Sequence, residues 1–128
     1  MEKEKILVVD DEKAILSLLK LAFSKKGYEV ATAESAEEAL KILKEEKFFV
    51  IFLDLNLAGM NGIELCKIIK RDLPVSMVFA ITGYASLFEL SECREAGFDD
   101  YFKKPVNIST LTKTAADAFE RINRWKNG

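Results

Sequence analysis

Phe48-Phe49-Val50-Ile51-Phe52-Leu53-Asp54 (FFVIFLD) is the most apolar run of the chain, and it ends on a carboxylate. Six consecutive apolar residues suit a buried strand and are too few for a buried helix; β-branched and aromatic residues fill most of them. Phe48 to Leu53 is therefore expected to be the central strand of a sheet covered on both faces. Asp54 emerges from the deepest part of that sheet. A carboxylate buried there without a partner is expensive, so a cation or an ammonium group is expected beside it.

Outward from this run, apolar stretches and amphipathic segments alternate. Ile6 to Val9 is a short strand-like run closing on Asp10-Asp11. Ile15, Leu18, Leu19 and Ala22 repeat at helical spacing up to Lys26, with Gly27 placed to end the helix. Tyr28 to Ala33 has polar interruptions and predicts an edge strand. Ser35 with Glu38 forms a capping box before a helix whose apolar face is Ala36, Ala39, Leu40 and Leu43. Beyond Asp54, a loop from Asn56 to Gly62 leads to a helix with Leu65, Cys66 and Ile69 inward, ending before Pro74. Val75 to Ile81 reads as a fourth strand, Ser86 to Ala96 as a weaker helix ending at Gly97, and Asp100 to Lys103 as a fifth strand. The last helix, over Thr110 to Trp125, aligns Leu111, Ala115, Ala118, Ile122 and Trp125, with Asn107 as cap.

Five strand–helix units in strict alternation predict an α/β fold with a parallel sheet between two helical layers. Ligands of such sheets bind beyond the carboxyl ends of the strands, where the strand order reverses. Asp10, Asp11, Asp54, Thr82 and Lys104 all fall at or just past such an end.

With 128 residues, the chain is expected to be one domain spanning 1–128, with no output domain. A net charge of -2 disfavours direct nucleic-acid binding. No apolar run reaches membrane-spanning length, and MEKEK leads straight into a strand pattern without a signal peptide, so a cytoplasmic protein without membrane contact is expected. Cys66 and Cys93 read as buried thiols of a reducing compartment. The chain has no histidine. That excludes Ser-His-Asp and Cys-His nucleophile systems, histidine-ligated zinc, and any role as a phosphohistidine carrier.

Each polar candidate also has a simpler reading. Asp10-Asp11 suits a helix start, where acidic residues cap and complement the dipole. Two adjacent carboxylates after a buried strand nevertheless repel each other, and a divalent cation removes that repulsion; all-oxygen ligands suit magnesium. Lys104 alone would read as a solvated lysine, but Pro105 fixes its backbone outside the helical region, and the Lys104–Pro105 bond is a candidate for the cis form. Thr82 alone is a good strand former. Tyr101 and Phe102 alternate on a short strand, and core packing explains Phe102.

Together ILVVDD, LDLNLAGMNG, the ITG turn and GFDDYFKKP, in this order and spacing, resemble the receiver domain of two-component response regulators. The resemblance runs from Lys5 to about Trp125. It implies a flavodoxin-like, doubly wound (βα)5 fold with strand order 2-1-3-4-5. It implies that Asp54 accepts a phosphoryl group, that Asp10, Asp11, Asp54 and the backbone carbonyl of Asn56 hold Mg2+, and that Thr82 and Lys104 contact the phosphoryl group. Tyr101 matches the aromatic switch that turns inward when Thr82 moves. The implied donor is a sensor histidine kinase or a histidine phosphotransfer protein, with small acyl phosphates as a second donor. The implied output is a downstream effector, or a dimer formed on phosphorylation, at the face of the Ser86–Ala96 helix, the fifth strand and the last helix. Exposed Leu87 and Phe88 suit that face, although core packing explains them equally well. Such a chain catalyses its own phosphorylation and dephosphorylation rather than turning over a substrate. Two departures stand out. Ala58 replaces a frequent proline, which predicts a looser loop, and Tyr84, two residues past Thr82, is expected to shield the acyl phosphate from water.

The bottom-up chemistry agrees, since phosphoryl transfer needs charge neutralisation and positioning more than acid–base groups. A haloacid-dehalogenase-type phosphatase would need a general acid/base two residues after the nucleophile, where this chain has Asn56. A flavin or dinucleotide carrier is disfavoured because the first strand–helix turn lacks Gly-x-Gly-x-x-Gly. The alternative from another class is a phosphorylation-independent interaction module on the same fold.

Overall fold

The computed structural model describes residues 3–83 and 85–127. Five strands, β1 (Lys5–Val9), β2 (Glu29–Ala33), β3 (Val50–Asp54), β4 (Met77–Thr82) and β5 (Asp100–Lys103), alternate with five helices, α1 (Lys13–Lys25), α2 (Ala36–Glu45), α3 (Gly62–Asp72), α4 (Leu87–Ala96) and α5 (Ile108–Asn127). All strand pairs are parallel, and the order is β2-β1-β3-β4-β5. This is the flavodoxin-like, doubly wound arrangement expected, with β3 central and β2 on an edge.

Residue alternation along the strands feeds two cores. Leu7, Val9, Ile51, Leu53, Val78 and Ala80 face α2, α3 and α4. Ile6, Val8, Val50, Phe52, Phe79 and Ile81 face α1 and α5. Every residue of β3 is buried, which is why its sequence shows no alternation. Phe102 packs in the second core, its ring centroid 6.3 Å from that of Phe79.

Helix boundaries follow local chemistry. Asn61, Ser86 and Asn107 each accept from a backbone N–H three residues on. Ser86 and Glu89 complete a capping box. At α2 the box is altered: Ser35 Oγ accepts from Glu38 N, but the Glu38 carboxylate reaches back to Glu34 N. Gly27 and Gly97, at φ +95° and +104°, close α1 and α4.

Several sequence expectations are corrected. β3 begins at Val50 and β4 at Met77, each two residues late, and both extend one residue further than expected, so Asp54 and Thr82 end the strands rather than follow them. Phe48 is apolar because it plugs the core below the strand, whereas Val75 sits exposed in the turn after Pro74. The buried stripe of α1 is Leu16, Leu19 and Phe23, and Leu18 is exposed. On α5, Phe119 joins the buried stripe, and Trp125 leaves it at 79% exposure. Gly62 is the first residue of α3 rather than the last of the loop. Both cysteines are buried free thiols, and burial pushes Cys66 up to about 12. Among the described residues, no helix is long and apolar enough to cross a membrane.

Candidate functional site at the carboxyl edge of the sheet

Strand register assembles the site. Val9 lies opposite Leu53, so Asp10 comes level with Asp54 across the point where strand order reverses. Asp54 lies opposite Ile81, one residue before Thr82, and Thr82 lies opposite Lys103, one residue before Lys104. The Lys104 N–H donates to the Thr82 carbonyl at 2.8 Å, and the Lys104–Pro105 bond is cis.

One carboxylate oxygen from each of Asp10, Asp11 and Asp54 lies within 4.8 Å of the others. Asp10 and Asp54 are buried, and Asp11 is exposed. Lys104 Nζ reaches into the cluster, 3.1 Å from Asp10 Oδ2, 3.2 Å from Asp54 Oδ2 and 3.5 Å from Glu12 Oε1. Asp10 Oδ1 accepts from the Glu12 N–H at 2.8 Å, so the helix-start reading of Asp10 accounts for one of its two oxygens. Asp54 Oδ1 accepts from the Asn56 N–H at 3.0 Å, and Asn56 Nδ2 donates to Thr82 Oγ1 at 3.2 Å.

Electrostatics leave the cluster short of positive charge. Burial pushes the Asp10 carboxyl up, and Asp54 adds to this; the Glu12 N–H and Lys104 oppose it without cancelling it. Burial also acts against the Lys104 ammonium, but contacts with Asp10 and Asp54 outweigh it and raise Lys104. The ion pair favours the charged forms of both partners alike, and burial together with the like-charged Asp54 leaves Asp10 with a net upward shift. Asp10 Oδ2, at ion-pair distance from Lys104, still accepts no aligned hydrogen bond. An all-oxygen donor set, a buried oxygen without a hydrogen bond and three carboxylates around one ammonium fit a metal ion.

The loop after Asp54 is set by close approach. A side chain at Gly62 would collide with the Asp54 carbonyl and lie 2.9 Å from Leu55 Cα, so only glycine lets α3 begin there. Glu37 of α2 accepts from the Met60 N–H at 3.3 Å and ties down the loop that Ala58 was expected to loosen. The sequence reading missed Glu12, the Asn56 amide and the packing role of Gly62. The glycine after LDLNLAGMN was the one visible signal. Tyr84 lies outside the described residues. Tyr101, on β5 opposite Ala80, is 37% exposed, and Leu87 and Phe88 at the start of α4 are 86% and 73% exposed.

Comparison with known proteins shows the family of the chain. The family model for the response regulator receiver domain matches residues 6–116. Sporulation initiation phosphotransferase F of Bacillus subtilis is 36% identical over 111 residues, covering 87% of this chain and 90% of that protein. The transcriptional regulatory protein YvrH of the same organism is 40% identical over 108 residues, 84% of this chain and 45% of YvrH. The alkaline phosphatase synthesis transcriptional regulatory protein PhoP of that organism is 40% identical over 104 residues, with 81% and 43% covered. The chain thus spans less than half the length of these two regulators. A solved CheY-like receiver domain protein from Methanospirillum hungatei superposes with a TM-score of 0.92 at 33% identity, over 96% of this chain and 98% of that one.

Proposed function

Since the chain belongs to the response regulator receiver domain family, we propose that Asp54 accepts a phosphoryl group from a phosphohistidine on another protein. The observation that carries this reading is the cluster of Asp10, Asp11 and Asp54 with Lys104 bridging two of them at the strand ends. Receiver domains of response regulators interact with histidine kinases and phosphotransfer proteins, and this chain has no histidine to supply the phosphoryl group itself.

In the proposed transfer an Asp54 oxygen bonds to phosphorus, the donor's phosphorus–nitrogen bond breaks, and the electron pair leaves with the imidazole. Asn56 N–H orients the Asp54 carboxylate through Oδ1. Lys104, already between Asp10 and Asp54, keeps its charge through neutral pH and is assigned to contact a phosphoryl oxygen in this proposal. Asp10, Asp11, Asp54 and the backbone carbonyl of Asn56 would hold Mg2+, which when bound would neutralise charge on the phosphoryl group.

The switch proposal assigns Thr82 to the new phosphoryl group and Tyr101 to the space it vacates. α4 suits the moving element: it buries only Cys93 and Ala96 and exposes Leu87 and Phe88. The face formed by α4, β5 and α5 is the proposed contact for an effector or a phosphorylation-dependent dimer. The test is intact mass after incubation with acetyl phosphate and Mg2+. One added phosphoryl group, lost with a chelator and in Asp54→Asn, supports the reading. No adduct and no beryllofluoride binding would replace it with an interaction module that works without phosphorylation.

A further inference from the structure

We propose that the side-chain amide of Asn56 is a resting-state clamp on Thr82, which a phosphoryl group on Asp54 must release before the switch can move. The inference rests on the phosphoacceptor reading above and assigns a positioning role to a side chain so far used only for its backbone.

Asn56 touches both ends of the proposed switch. Its backbone N–H donates to Asp54 Oδ1 at 3.0 Å, and its amide donates to Thr82 Oγ1 at 3.2 Å. Thr82 is fully buried at the end of β4, whereas Asn56 is exposed in the loop after β3. The fold does not require this amide bond, because an exposed asparagine could give the same donors to water. Its effect is local: it holds the hydroxyl oxygen toward the β3–α3 loop.

Phosphorylation changes both bonds. A free carboxylate is a charge-assisted acceptor for the Asn56 N–H, and an acyl phosphate carries its negative charge on the phosphoryl oxygens instead. Those oxygens compete for the one proton of the Thr82 hydroxyl. The Asp54 anchor of Asn56 weakens as the Thr82 hydroxyl gains a stronger partner. The clamp thus opposes activation in the unmodified chain and loses its hold on modification, setting the fraction of active conformer before any phosphoryl group arrives.

The test is a double-mutant cycle read as beryllofluoride affinity at saturating Mg2+, using the wild type, Asn56→Ala, Thr82→Val and the double variant. Asn56→Ala is expected to bind about two- to tenfold more tightly than the wild type, the range that a net hydrogen bond of roughly 0.5–1.4 kcal/mol corresponds to. In the Thr82→Val background the same substitution should change affinity little. Thr82→Ser keeps the hydroxyl and should preserve the Asn56 effect. Weaker binding by Asn56→Ala, or an equal effect with and without the Thr82 hydroxyl, overturns the clamp while leaving the phosphoacceptor reading intact. Failure of the wild type to bind beryllofluoride overturns that reading, and the clamp with it.

Discussion

Two lysines reach into carboxylates at opposite ends of this sheet, and they do different work. At the amino edge, Lys70 of α3 donates to the Ser76 carbonyl at 2.6 Å and to Asp99 Oδ2 at 2.9 Å. The same oxygen accepts from the Val78 N–H at 2.8 Å, and the Asp99 N–H donates to the Val78 carbonyl at 2.7 Å. One ammonium meets one carboxylate, and the group ties α3 to the starts of β4 and β5. At the carboxyl edge, Lys104 meets Asp10, Asp54 and Glu12, with Asp11 nearby, and a buried Asp10 oxygen is left without a hydrogen bond. The first set is balanced and structural. The second is charge-deficient, which suits a site that receives a cation.

Each edge also depends on a glycine. Gly62 lets α3 start against the Asp54 backbone, and Gly97 lets the stem of Lys70 pass, its nearest carbon 3.1 Å from where a Cβ would sit. The obstacle at Gly62 is main chain, which cannot step aside. Gly62→Ala is therefore expected to cost about 3 kcal/mol in urea unfolding and to disorder the site. A cost below about 1 kcal/mol would mean that the two edges are equally pliable.

Lys104→Ala should slow phosphorylation by acetyl phosphate about 100-fold, equivalent to ~2.7 kcal/mol, measured by intact mass over time. An unchanged rate would make Lys104 a structural lysine like Lys70. Lys70→Met should show the reverse pattern: a loss of about 1–2 kcal/mol in stability, with the extent of phosphorylation unchanged. A phosphorylation defect at constant stability would erase the distinction between the edges.

The smallest expected effect concerns pH. Asp10 carries a folded-state value raised above its unfolded one, so the folded state holds that proton more tightly. Its contribution to stability grows as pH falls through the raised value and is complete below the ordinary carboxylate value. With a chelator present, Asp10→Asn should be more stable than the wild type at pH 8, and its advantage should shrink on acidification. An advantage that is constant with pH would remove buried charge as its cause.

Much of this was legible in the sequence because strand ends are where apolar runs stop. Asp10, Asp54 and Lys104 each follow such a run closely enough that an error of one or two residues in strand length still leaves them at one edge. The strand starts were less legible. Phe48 and Val75 extend apolar runs for different reasons, core plugging and an exposed turn, and hydrophobicity does not separate the two. The stripe of α5 predicted Trp125 inside because periodicity ignores length. A 20-residue helix is about 30 Å long, whereas strands of four to six residues span roughly 13–20 Å, so its last turn has no sheet beneath it. The Asn56–Thr82 bond and the Gly62 contact were illegible because they join residues through the fold, and neither needs an unusual residue type.

The position of Trp125 has a practical result for anyone following this protein by light. It is the only tryptophan, it is 79% exposed, and its neighbour Lys126 lies 3.9 Å from the Phe49 ring centroid, just ahead of β3. Its emission samples water at the edge farthest from Asp54. A flat fluorescence trace during titration with Mg2+ or beryllofluoride is thus the expected reading even at full occupancy. An indole introduced at Phe88, on the exposed start of α4, would put the reporter on the element proposed to move.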